Sequence, residues 1–187
     1  ISFTGSNAVG RKIIEYASRQ VKKMIVELGG KSAAIILNDA DLELAVNGSL
    51  CSIFLNQGQM CTAMSRIFVQ EGVYEKFMDE FLARTQRIKL GDGLDYETQM
   101  GPLISKQQRE QVLAFVEKAK REGATLLTGG KVPPGPHLQK GYFFEPAVVD
   151  QEAEGFQADV PLPDVSVAVD PAAEPFPAVV HMKCVYA

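Results

Sequence analysis

A chain of 187 residues with 46% hydrophobic and 22% charged residues has the make-up of a soluble globular protein, with enough apolar material for a substantial core in one or two domains. Its formal charge of -4 comes without a basic run, which argues against nucleic acid, an anionic membrane surface or other acidic partners. No stretch has the apolar length of a membrane span and no leader pattern opens the chain, so a cytoplasmic location is the default; three cysteines without a CxxC pair, and two histidines, argue against a disulfide framework or a Cys/His zinc site.

In chain order, "ISF" reads as a strand already under way at Ile1, the last of a series whose earlier members lie upstream. "FTGSNAVG" passes from it through a glycine turn into a helix with Ser6 as N-cap and Val9, Ile13 and Ala17 as its apolar positions. "MIVELGG" predicts a short buried strand ended by two glycines, and "AAIIL" another. "NDADLELAV" opens a helix behind acidic capping residues, expected to run to about Asn56 and to bury Cys51 with Ala45, Ile53 and Phe54. "RIFVQ" is a strand, and an amphipathic helix follows from Val73 to about Ile88, with Val73, Phe77, Phe81 and Ile88 near one face.

"LGDGLDYETQMGPLIS" is too rich in Gly and Asp to be regular and reads as a long loop. Ser105 and Gln108 then make a capping box for a helix through about Glu122, stopped by Gly123, with Val112, Phe115, Val116 and Ala119 as its buried stripe. "ATLLTGG" and "YFFEPAVVD" are two more strands around a Pro/Gly loop, so helices and strands alternate as in an α/β fold. From Gln151 the character changes: residues 151–177 hold five prolines, six acids and no base. They read as a linker-like or misplaced tail, although "AVVHMKCVY" beyond them can form a strand.

Chemistry is suggested by "LNQGQMCTAMS", in which Cys61 sits among Asn, Gln, Gly, Thr and Ser, poor material for a core. A cysteine nucleophile works as its thiolate and needs a base or a favourable field. Glu27 is a candidate base: it follows a hydrophobic strand, where burial would raise its pKa, and precedes Gly29 and Gly30, which permit close backbone approach. Taken singly, each residue also has a plain structural reading, Cys61 as a core filler and Glu27 as a cap or an ion-pair partner of Lys31. Cys184 falls in the tail and is assigned no role. The glycine turn of "GSNAVG" serves geometry or, through its N–H groups, a phosphate.

Together, "FTGSNAVG", "VELGGKSA" and "FLNQGQMCTA", in that order and at these spacings, resemble the aldehyde dehydrogenase superfamily, and "GDGLDYETQMGPLIS" and "GYFFEPAVV" extend the resemblance from Ile1 to about Val149. It implies an α/β fold made of the end of a Rossmann-like dinucleotide-binding domain over residues 1–29 and most of a thiol-bearing catalytic domain over 30–150, followed by a divergent tail over 151–187. Cys61 matches the family's catalytic thiol and Glu27 its general base. Gly5, Ser6, Gly10 and Leu28 match the segments along the dinucleotide, and Gln108 falls near a cofactor ribose, although the capping box explains it equally well.

The activity so implied is oxidation of an aldehyde to a carboxylic acid with NAD or NADP, NAD being favoured, through a thiohemiacetal and a thioester on Cys61. The family's asparagine oxyanion donor and its adenosine-binding residues would lie before Ile1, which leaves the N–H of Cys61, at an expected helix start, as the donor present. The resemblance also implies a small-molecule aldehyde substrate and a homo-oligomer. Two other readings follow from the same residues: a non-enzymatic piece that keeps the signatures, and a cofactor-independent esterase. An incomplete sheet would leave edges unpaired, so the isolated chain is expected to aggregate or oligomerise.

Overall fold

The computed structural model describes residues 1–152 and 181–186. It begins with a β-α-β unit: β1 (Ser2–Gly5) and β2 (Ile25–Leu28) pair in parallel, with Thr4 opposite Glu27 and Gly5 opposite Leu28, and α1 (Asn7–Ser18) makes the crossover that parallel pairing requires. Ser6 caps α1 as expected, its Oγ accepting from Val9 N at 3.4 Å. The buried positions of α1 are Gly10 and Ala17, with Ile13 half-buried. Val9, expected inside, is 45% exposed, because two short strands cover only a narrow stripe of the helix. β2 is likewise not the buried strand its composition predicted: Ile25 and Glu27 face solvent while Val26 and Leu28 are half-buried.

The second sheet has five strands in the order β3-β4-β7-β6-β5, namely β3 (Ala33–Ile36), β4 (Arg66–Val69), β7 (His181–Tyr186), β6 (Ala147–Glu152) and β5 (Thr125–Thr128). The β3-β4 pair is parallel and the rest antiparallel. The terminal "HMKCVY" is thus a strand, inserted between β4 and β6, whereas the expected linker character of residues 153–180 lies outside the described residues.

Asp41 caps α2 (Leu42–Phe54), accepting from Leu44 N at 2.9 Å, and α2 packs on α3 (Glu71–Thr85). Between them and β4 lies the main core, built on Val46, Ile53, Ile67, Val73, Phe77 and Phe81, with the Phe77 and Phe81 rings 5.5 Å apart. On α2 the buried face is Val46, Ser49 and Ile53; Cys51 lies about 200° round the helix from Ser49 and is exposed, correcting its expected burial. The expected end of α2 near Asn56 also moves: the helix stops at Phe54 and a 3₁₀ turn, Leu55–Gly58, follows, with Asn56, Gln57 and Gly58 all left-handed at φ 51°, 56° and 69°.

The glycine-rich stretch after α3 is a loop as expected, closed by a bridge between Leu90 and Met100. The last helix, α4 (Lys106–Arg121), ends before Gly123, whose φ of 92° suits a residue without a side chain. It packs on β5 and β6 through Val112, Val116 and Ala119, but Phe115 is 54% exposed and departs from the expected stripe.

Candidate active site

Cys61 is exposed and its thiol is free. It does not start a helix: left-handed backbone at Asn56, Gln57 and Gly58 ends the helical run, and a turn closed by Ala63 N donating to Met60 O at 3.2 Å carries the chain into β4. The backbone N–H of Cys61 makes no hydrogen bond among the described residues.

Much of the polarity around the thiol has a structural use that sequence reasoning missed. Asn56 and Gln59 exchange hydrogen bonds, Gln59 Nε2 donating to Asn56 O at 3.2 Å and Asn56 Nδ2 to Gln59 O at 3.3 Å, which stitches the left-handed turn. Gln59 Oε1 accepts from Ile104 N at 3.0 Å, and the Gln57 amide, turned to satisfy both its ends, accepts from Gly101 N at 3.1 Å. The cysteine segment is therefore fastened to the "GPLI" loop. The repeated amides of "NQGQ" are the signal in the sequence that points to such a fastening.

Gly30 meets this turn from the other side. A Cβ on it would lie 3.4 Å from Cys61 O, so the "ELGG" segment runs against the backbone of the thiol's own residue. Glu27 stands on the strand that leads into this contact, but it is exposed, which overturns the buried base expected from its apolar neighbours. Alternation puts Glu27 on the face of β2 opposite Leu28 and α1, which no element covers among the described residues. No hydrogen bond joins Glu27 to the Cys61 thiol, and no ion pair joins it to Lys31, among the described residues. The arrangement offers a nucleophile at a turn and a solvated carboxylate on the strand that leads into the Gly30 contact with it.

Of the residues matched to the dinucleotide, the fold brings four together. Gly5 ends β1 and Ser6 caps α1, both exposed. Gly10 and Leu28 pack on each other: a Cβ at Gly10 would fall 2.7 Å from Leu28 Cδ2, so the glycine is what lets α1 lie close to β2. Gln108 is elsewhere, on α4, where its N–H donates to Ser105 Oγ at 3.1 Å. The reciprocal side-chain bond of a full capping box does not form among the described residues.

A groove of about 420 Å³ lies at the ends of α2 and α3, lined by Leu50, Cys51, Phe54, Leu55, Arg84 and Ile88 among others, and Cys61 is not part of its lining. Between α3 and β6, Tyr74 Oη donates to Asp150 Oδ2 at 3.0 Å, and burial together with the Asp150 charge holds the phenol well above its ordinary range. Among the described residues no helix is long and apolar enough to cross a membrane, and no group of three or more His, Cys, Asp or Glu is placed to hold a metal.

The sequence model of the Aldehyde dehydrogenase family matches residues 1–161, twelve residues past the Val149 where the resemblance was expected to end. Betaine aldehyde dehydrogenase of Bacillus subtilis is 48% identical over 148 residues, 79% of this chain and 30% of that protein; its counterpart from Brucella ovis is 46% identical over the same span. Among solved structures, betaine aldehyde dehydrogenase of Staphylococcus aureus in complex with NAD+ superposes with a TM-score of 0.77 at 44% identity, over 79% of this chain and 29% of that one. PnpE from Pseudomonas sp. WBC-3 also gives 0.77 at 44% identity, over 80% and 31%. The chain thus spans about 30% of the length of the curated relatives it matches.

Proposed function

We propose, because this chain belongs to the aldehyde dehydrogenase family, that it carries the thiol and the general base with which an aldehyde is oxidised to a carboxylic acid using NAD(P)+. The observation that carries this reading is the contact of Gly30 with Cys61, which sets the strand bearing Glu27 against the turn bearing the thiol. Residues 1–29 are taken as dinucleotide-binding and 30–150 as thiol-bearing, a division supported by their two separate sheets.

The residues near Ser6 fit a dinucleotide phosphate. The first N–H groups of a twelve-residue helix and the Ser6 hydroxyl sit at an exposed turn after Gly5, where an anion finds donors and the positive end of the helix dipole. When bound there, NAD(P)+ supplies the acceptor for the substrate's hydride. NAD is favoured, since the relative from Staphylococcus aureus is described with NAD+.

Cys61, as thiolate, adds to the aldehyde carbon; the C–S bond forms as the carbonyl electron pair moves onto oxygen. The unengaged N–H of Cys61 is available to that oxyanion. Once the carbon has reached the acid level as a thioester on Cys61, Glu27 takes a proton from water, the water oxygen adds to the carbonyl, and the C–S bond breaks to return the thiolate. A solvated Glu27 acts through water rather than by touching sulfur, both in this step and earlier, where the same relay draws the proton from the Cys61 thiol before it adds to the aldehyde. The relatives' names make betaine aldehyde the first substrate to try, within the wider class of small aldehydes. A free exposed thiol suits a reducing compartment, which supports the cytoplasm.

The test is betaine aldehyde-dependent reduction of NAD+ or NADP+, abolished in Cys61→Ala. No reduction with either cofactor, together with Cys61 alkylating no faster than Cys51, overturns the reading. The exposure of Cys61 favours one alternative, slow turnover of activated esters by the thiol without cofactor; it predicts ester hydrolysis lost in Cys61→Ala and indifferent to NAD(P)+.

A further inference from the structure

Arg66 opens β4, the strand into which the cysteine turn runs. Its guanidinium reaches back across the parallel β3-β4 pair to the loop before β3, where Nε and Nη2 both donate to Lys31 O, at 3.0 and 2.6 Å. The Arg66 backbone N–H adds a longer bond to Ser32 O at 3.4 Å. Its Cζ lies 5.9 Å from the centroid of the Phe68 ring, which holds the fork in orientation from the same strand. Among the described residues the guanidinium pairs with no carboxylate. A charged fork that places two donors on one main-chain carbonyl fixes that carbonyl more firmly than a single donor would.

The carbonyl it grips follows directly on Gly30, the residue packed against Cys61 O. On the other flank, Met64 N donates to Ser52 O at 3.4 Å and ties the end of the cysteine turn to α2. The "ELGGKS" segment, by contrast, has among the described residues a single side-chain hydrogen-bonding attachment to this turn and strand, which is Arg66. From this geometry we infer that Arg66 is a positioning residue for the thiol chemistry, holding the Glu27 strand end against the Cys61 turn through the Lys31 carbonyl.

Lysine cannot reproduce a two-donor fork, so Arg66→Lys keeps the charge and weakens the grip, while Arg66→Met keeps the stem's packing and removes the grip. The inference rests on Glu27 serving Cys61, and two measurements keep the two ideas apart. The first is the pH profile of Cys61 alkylation by iodoacetamide, with Cys51 in the same sample as reference, for the parent chain, Arg66→Lys, Arg66→Met, Glu27→Gln and the double variant Glu27→Gln/Arg66→Met.

Arg66→Met is expected to slow Cys61 roughly tenfold, as misplacement of a reacting pair does. Arg66→Lys should fall between Arg66→Met and the parent chain, and the double variant should be no slower than Glu27→Gln alone. An unchanged rate in Arg66→Met, or losses that multiply in the double variant, overturns the inference. The second measurement is amide hydrogen exchange of the peptide covering residues 25–33. Protection lost there in Arg66→Met but kept in α3 supports the positioning role, and unchanged protection overturns it. Should Glu27→Gln leave the Cys61 rate unaltered, the general-base reading fails, and the exchange measurement decides Arg66 by itself.

Discussion

Gly30 lies against the backbone of Cys61, close enough that a methyl group in place of its hydrogen would sit 3.4 Å from the Cys61 carbonyl oxygen. That distance is ordinary contact for a methyl and too little for a branched side chain. Gly30→Ala is therefore expected to leave stability within about 1 kcal/mol of the parent, since the lost backbone freedom of the unfolded chain works in its favour. Gly30→Val should keep the fold but push the two segments apart and slow Cys61 alkylation relative to Cys51. Equal rates in all three proteins, read by peptide mass spectrometry, would remove the contact from the chemistry.

Gly10 and Leu28 give a second pair with a clean cycle. A Cβ at Gly10 would fall 2.7 Å from Leu28 Cδ2, the end of a flexible side chain, so Gly10→Ala should turn Leu28 aside at a cost that alanine's better helix propensity offsets, for a net change within about 1 kcal/mol. Leu28→Ala makes room, and the double variant should lose less than the sum of the singles. Additive losses in urea melts would mean that the close approach of helix and strand is not what Gly10 supplies.

The Tyr74–Asp150 bond makes stability fall at high pH. Burial and the neighbouring carboxylate raise the folded phenol's pKa, so the folded state keeps a proton that the unfolded chain gives up at about pH 10. The contribution is complete below that pH and is lost as pH rises through the folded value. Urea midpoints measured from neutral pH upward should therefore fall more steeply for the parent than for Tyr74→Phe; parallel curves would sink the assignment.

β3 is an edge of the five-stranded sheet, and its Ile35 is 57% exposed with Leu37 beyond it at 40%. An apolar edge invites pairing with another chain. Concentration-dependent association is expected in sedimentation, reduced by Ile35→Lys. A monodisperse monomer at all concentrations would count against it.

The Gln59 side chain holds both the left-handed turn and the 101–104 loop. Gln59→Ala should cost about 1 kcal/mol and raise hydrogen exchange at Ile104 before it alters α4. Unchanged exchange at Ile104 would show that the loop does not depend on this amide.

Local residues determined the elements. Ser6, Asp41 and Ser105 each cap the helix they were placed before, because a cap is a contact within a few residues and is written in the adjoining sequence. The signature segments likewise marked Cys61 and Glu27 as a candidate pair, since the spacing of motifs along a chain needs no coordinates. Burial was decided by tertiary structure. Glu27, Cys51, Val9 and Phe115 were all expected inside from their neighbours and are exposed, because exposure depends on which distant layer covers a face, and periodicity marks a face without naming its cover. The same reason hid the second use of "NQGQ" and the reach of Arg66 to Lys31: each joins residues far apart in sequence, and only the folded chain brings them within hydrogen-bond distance.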